Sequence, residues 1–227
     1  MPDMFILPAE GEWRIVTPEA QAAAQRRDMG ELIDVYALTG GISRKKVNRT
    51  YEFSRGIVRQ EHGQPPEVFH LDDMTEVTAK VTDRTYNGRY EATYFTFTIV
   101  CADGRSTTIS AYYKSRGDHG HRYCGLGETI REHVAAEQLP IARERIRQGR
   151  EVFFGDFGLA REGLLWKGKK PVPWERVGPA VVKEGWLTVK LAGGWTKTCI
   201  RELGVVPNYA VFRTLLAELR ESAPRVG

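Results

Sequence analysis

From residue 32 to residue 113 the chain alternates branched or aromatic residues with polar ones, the period of two that marks half-buried strands. Ile33–Leu38 is the first run, closed by Gly40-Gly41, and Val47–Phe53, Gly56–Arg59 and Val68–His70 follow. Thr75–Tyr86 then runs into Asn87-Gly88, where both central residues of a type I′ turn need positive φ, and returns as Arg89–Cys101. Asp103-Gly104 turns the chain again into Arg105–Tyr113, which makes a three-stranded meander. Ahead of this region Thr17-Pro18-Glu19 has the form of a helix start, Gly30 of its stop, and the first 17 residues read as a tail. Behind it Leu126, Ile130 and Val134 recur at helical spacing. Pro140 disfavours helix at Leu139, so a stop or kink is expected there, with a second helical piece over Ile141–Gln148.

Short strands resume from Glu151 to Phe154, Leu159 to Arg161, Leu164 to Lys167 and near Pro171–Pro173. Pro179–Lys183, Trp186–Leu191 and Trp195–Ile200 form a second meander with turns at Glu184-Gly185 and Gly193-Gly194. Asn208 stands as the N-cap of a last helix whose apolar positions are Phe212, Leu215, Leu216 and Leu219.

The two halves therefore share an order of short strands, meander and helix. Phe53-Ser54-Arg55-Gly56-Ile57-Val58 matches Ala160-Arg161-Glu162-Gly163-Leu164-Leu165, followed by an aromatic (Phe69, Trp174) and then Met74 or Val177. Consistent order at an offset of roughly 100 residues is the sign of duplication. Seven antiparallel strands and a closing helix is the order of the pleckstrin-homology (PH) superfold, in which a bent sheet leaves a corner that the helix plugs. The stretches RTYEFSRGIV, FGDFGLAREGLLWKGKKPVPWERV and VPNYAVFRTLLAEL, within about Gly30 to Leu219, resemble an uncharacterised bacterial family, common in actinobacteria, with paired PH-like halves. The resemblance implies an α+β, mainly β fold of two PH-like halves, each a bent antiparallel sheet or small barrel capped by a C-terminal helix. It carries little about activity. The expected organisation is a tail and short helix over 1–30, a first domain over 31–139 and a helical linker over 140–150. A smaller second domain over 151–220 and a tail over 221–227 complete it.

Composition narrows the class. With 41% hydrophobic and 27% charged residues in 227, the chain can bury a core, and no window approaches the ~18 apolar residues of a membrane span. The opening MPDMFILPAEGEW lacks a basic segment before its apolar patch, so a cytoplasmic protein is expected. Thirty-three basic against 29 acidic residues give +4, too mild for a dedicated nucleic-acid binder. Cys101, Cys124 and Cys199 are odd in number and widely spaced, which fits core residues in a reducing compartment.

Little chemistry stands out. Gly125-Leu126-Gly127 lacks the third glycine of a dinucleotide turn, and Asp72-Asp73 reads as a turn. Asp118-His119-Gly120-His121-Arg122-Tyr123-Cys124 holds several metal-ligand types, but only His133 is near to complete a site, and a polar loop entering a helix is the plainer reading. Arg44, Lys45, Lys46 and Arg49 put four basic residues beside a Gly-Gly pair, between the first two strands, where lipid-binding PH domains grip phosphates. Lys167, Lys169 and Lys170 repeat this on a later turn. The expected function is a non-enzymatic binding or adaptor role: a tandem PH-like module recognising a protein partner at a sheet edge or beside the last helix. The alternative is peripheral binding of anionic lipid or another polyanion through Arg44, Lys45, Lys46 and Arg49. A metal-dependent hydrolase around His119 is the third reading. No cofactor and no specific nucleic acid are expected.

Overall fold

Asn87-Gly88 and Glu184-Gly185 each adopt positive φ at both residues (49° and 73°, 52° and 79°), so both expected hairpin turns form. The computed structural model describes residues 4–6, 14–40, 46–192 and 198–223. The protein is mainly β, with three α-helices and four antiparallel sheets among the described residues, none of them closed. Two compact units emerge: the chain to Thr75 with Val81–Ile130, and Glu76–Lys80 with the chain from Arg131.

In the first unit β1 (Met4–Ile6), β2 (Leu32–Gly40), β3 (Val47–Phe53), β4 (Gly56–Gln60) and β5 (Glu67–His70) form one sheet in chain order. A 3₁₀ turn at Leu71–Asp73 leads to β6 (Met74–Tyr86), β7 (Arg89–Cys101) and β8 (Ser106–Tyr113), the second sheet. The first sheet is covered on both sides. On one lies α1 (Pro18–Arg26), whose Ala20 and Ala24 pack with Met29, Val35, Tyr51, Phe53 and Val58. Thr17 caps this helix by accepting the Ala20 N–H at 3.2 Å. On the other side stands the start of α2 (His119–Arg147), where Tyr123 stacks 4.6 Å from Tyr36 and bonds Thr50 at 2.8 Å.

In the second unit β9 (Val152–Phe154), β10 (Phe157–Ala160), β11 (Gly163–Trp166) and β12 (Val172–Pro173) form a four-stranded sheet. A 3₁₀ turn at Trp174–Arg176 precedes the meander β13 (Val177–Lys183), β14 (Trp186–Leu191), β15 (Thr198–Glu202), and α3 (Tyr209–Ser222) closes the chain. Phe212, Leu215 and Leu216 of α3 are buried with Phe157, Leu159, Leu164, Leu187 and Val189.

Both units share the order of four strands, 3₁₀ turn, three-stranded meander and helix, with β1 and α1 added in the first and a 3₁₀ turn at Leu203–Val205 in the second, and the likeness extends to backbone detail. Phe53 pairs with Gly56 and Ala160 with Gly163 across two-residue hairpins. A Cβ on Gly56 would stand 2.2 Å from the Phe69 carbonyl oxygen, and one on Gly163 2.0 Å from that of Val172. Only glycine lets the neighbouring strand come so close. Register corrects the sequence alignment at one point. Gly56 faces His70 and Gly163 faces Pro173, so Trp174 is the counterpart of Leu71, not of Phe69. Met74 and Val177, each starting a meander, do correspond.

Four further expectations change. The N-terminal tail contains β1, which pairs Met4–Ile6 with the otherwise open edge of β2. A small barrel gives way to separate open sheets in each unit. Helix α2 passes through Pro140 without a break. Ala135 and Leu139 before the proline and Ala142 and Ile146 after it pack on one core, and that burial outweighs the lost backbone bond. The stretch 140–150, expected as a helical linker, is helical as far as Arg147. Asn208 does sit at the N-cap of α3, but its side chain accepts the Val77 N–H at 2.9 Å instead of capping the helix.

Replacing Gly56 or Gly163 with Ala is expected to cost ~3 kcal/mol each, against ~1 kcal/mol for Gly88→Ala, whose Cβ meets open space. Chemical denaturation checks the ranking. Pro140→Ala, at an exposed helical position, should stabilise by up to ~3 kcal/mol, and a lowered melting temperature would contradict the account of α2.

Candidate functional site

Of the basic residues singled out by sequence, Arg44 and Lys45 lie outside the described residues. Lys46 is exposed at the entry to β3. Arg49 is not on the rim. It lies inside β3 between Ala37 and Gln60, half-buried, with its Nε enclosed and without a hydrogen-bond partner among the described residues. Arg49 belongs to the strand Val47–Phe53 that the sequence pattern predicts, and the strand draws it into the sheet. Lys167, Lys169 and Lys170 lie on the turn after β11, with the Lys167 ammonium 5.4 Å over the Trp166 ring.

The Asp118–Cys124 segment is the first turn of α2 with the residue ahead of it, and its side chains diverge. Burial works against the Asp118 carboxylate, yet the N–H groups of His121, Ser115 and Lys114 hold its pKa below the usual range. His121 meets the Tyr113 ring edge-on at 5.1 Å, and Cys124 is buried. Among the described residues no three His, Cys, Asp or Glu side chains gather as metal ligands. Gly127 is inside the helix, where a Cβ would fall 2.2 Å from the Phe97 ring, so its role is close helix–sheet approach and not phosphate binding.

His119 and Arg122 belong to a polar cluster that no sequence motif signals. Asp34 of β2, 7% exposed, sits between Arg14 at 2.8 Å and Arg122 at 3.0 Å and accepts the Val35 N–H at 2.8 Å. Arg122 also donates to His119 Nδ1 at 2.8 Å, which leaves the proton on Nε2 to donate to the Val35 carbonyl at 3.1 Å. That pattern needs a neutral imidazole, and burial, ahead of the neighbouring charges, pushes the His119 pKa down. Beside it Tyr36 donates to Glu52 at 2.8 Å. Burial raises both pKa values: the phenol goes far above its ordinary range, and the carboxyl rises although the Tyr36 bond favours its ionised form. Each of these groups is partnered, so the cluster acts as a latch that fixes the first turn of α2 to β2 and β3. The one clue in sequence was Asp34, the single charged residue in the strand Leu32–Gly40.

Among the described residues of the first unit, two surfaces are open to ligands. A groove of about 500 Å³ runs past Arg59, Glu61, Glu67, Ser106, Thr107 and Thr108; its charge is mixed, and the Arg59 guanidinium is already bonded to the Thr108 carbonyl. The second surface is an arm. The pairing of β7 with β8 starts at Thr93, so Val81–Tyr86 and Arg89–Glu91 form a two-stranded ribbon exposed along its length. Tyr86 is 68% exposed, and Tyr90 and Val81 about half. Arg84–Glu91 at 2.9 Å and Thr93–Asp83 at 2.6 Å tie the ribbon across. No helix among the described residues is long and apolar enough to cross a membrane.

The latch has a pH signature. A depressed His119 pKa means that the unfolded chain takes up this proton first, so its contribution is complete above 6.5 and lost as pH falls. Glu52, raised from 4.5, acts in the opposite sense, stabilising at low pH and losing that effect as pH rises through its folded value. His119→Gln keeps a donor and an acceptor and leaves Glu52 in place. Between pH 7 and roughly pH 5.5 the wild-type melting temperature should therefore fall more steeply than that of the variant. Parallel curves would remove His119 from the latch.

No curated protein and no solved structure matches the chain significantly. A family model does, over residues 33–225, from β2 to the tail beyond α3. The match spans both units, and the chain belongs to the family of unknown function DUF6585.

Proposed function

We propose that the chain is a non-enzymatic binding module, two PH-like units in tandem, that recognises a protein partner through the ribbon arm of β6 and β7. Support for the PH-like reading is the shared order of sheet, 3₁₀ turn, meander and helix in the two units. The observation that carries the function is the arm itself. A ribbon of two strands with both faces in water is marginal by itself, and its edges present unpaired backbone groups. Tyr86 at its tip adds a large side chain with an apolar body and a polar end, the type enriched at protein interfaces. An extended partner segment can pair along the outer edge of β6, with main-chain bonds for affinity and the tyrosines for specificity.

The polyanion reading has less behind it, because Arg49 is drawn into β3. The three cysteines are buried and form no disulfide, which supports a cytoplasmic setting. Burial pushes the Cys199 thiol up to about 11, away from thiolate chemistry.

The test is a photo-crosslinking residue placed at Tyr86 and, as a control, at exposed Glu19, in cells that make the protein naturally. A protein trapped from position 86 alone is then purified and titrated with the chain. Binding should weaken at least roughly tenfold in Tyr86→Ser/Arg89→Ser, given the usual weight of an aromatic contact. Unchanged affinity in that variant, or binding of anionic vesicles at the same strength in its place, would overturn the proposal.

A further inference from the structure

The β13–β14–β15 meander leaves an apolar strip uncovered on its outer face. Register places Lys183, Trp186 and Glu202 in one row across the three strands and Val181, Thr188 and Ile200 in the next. Leu187, Val189 and Cys199 point the other way and are fully buried. On the outer face Val181, Trp186 and Ile200 are each about half exposed; Lys183, 3.7 Å from Glu184, stands on one flank and Glu202, 2.6 Å from Lys80, on the other. Both pairs are exposed, so Lys183 and Glu202 can exchange partners with a second copy related by a two-fold axis. With the axis along β14, Lys183 of one copy meets Glu202 of the other, Val181 meets Ile200, and Trp186 meets Trp186. We infer that this face is a homodimer contact, with a second copy of the chain as its occupant.

The magnitude is modest. Three strands ~4.8 Å apart and about five residues long cover roughly 250–300 Å² per copy, against ~800 Å² in a standard stable interface. Lys190 would also face its own counterpart at the rim. The dimer should be transient, with Kd on the order of 100 μM, anchored by Trp186.

Sedimentation equilibrium over roughly 10 μM to 1 mM brackets that value. The wild-type chain should associate, and Trp186→Ser, Lys183→Glu and Glu202→Lys should each weaken association at least tenfold. Glu202 also holds Lys80 at 2.6 Å, so a single charge change does not isolate the interface. A mixture of the two charge variants does, because every contact between unlike copies then sets a carboxylate of one variant against an ammonium of the other. Association should return in the mixture. A wild-type chain that stays monomeric throughout, a dimer indifferent to Trp186→Ser, or a mixture that remains monomeric would overturn the inference.

Discussion

Among the described residues none of the four sheets closes on itself, and in each unit a helix covers the apolar face left open. In the first unit α2 does this, with Tyr123 against Tyr36 and Phe95 and Gly127 against Phe97. In the second unit α3 does it through Phe212, 4.9 Å from Phe157 and 5.5 Å from Phe154. Much of the rest follows from these two coverings. Helix α2 tolerates a proline because residues on both sides of Pro140 are held in the core. The start of α2 needs more than apolar contact, since a helix terminus brings polar backbone groups to the sheet. Asp118 accepts the His121 N–H there at 2.7 Å, while Asp34, Arg122 and His119 join side chains of the helix start to β2.

Elements governed by local physics were legible in sequence. The Asn87-Gly88 and Glu184-Gly185 turns, the start of α1 at Thr17-Pro18 and the strands Val47–Phe53, Arg89–Cys101 and Trp186–Leu191 depend on residues next to one another, and all are found. Features that depend on distant partners were not. Met4–Ile6 becomes a strand only because β2 offers an edge, and the Asn208 side chain, at the N-cap of α3, turns to the N–H that Val77 offers. Pro140 misled for the same reason: local preference favoured a break, and burial on a distant core prevented it.

The polar latch shows where single-sequence reading stops. Asp34, Glu52, His119 and Arg122 come from two strands and a helix, and no spacing rule links them. The segment Asp118–Cys124 drew attention as a possible metal loop because it concentrates ligand-type residues. In the fold its members serve different neighbours: Asp118 the backbone ahead of the helix, His119 the strand β2, His121 the ring of Tyr113. Density along the chain did not become convergence in space. The basic segment at Lys46–Arg49 was divided similarly, since one residue enters a strand while the other stays in solvent.

That distinction bears on where binding can reside. A group whose hydrogen bonds are already made inside the protein has little left to offer a ligand, and removing one partner costs more than a new contact returns. By this criterion the latch is committed to architecture. The ribbon arm and the outer face of the second meander differ in kind: Tyr86, Val181, Trp186 and Ile200 expose apolar area that folding alone leaves uncovered. Single exposed apolar residues are ordinary, but three on neighbouring rows of adjacent strands, or tyrosines on a ribbon with two open edges, concentrate that area in one place. The net charge of +4 is too small to steer association strongly. The recognition proposed for this chain would therefore rest on shape and apolar contact at its β surfaces, with charge at their borders setting which partner fits.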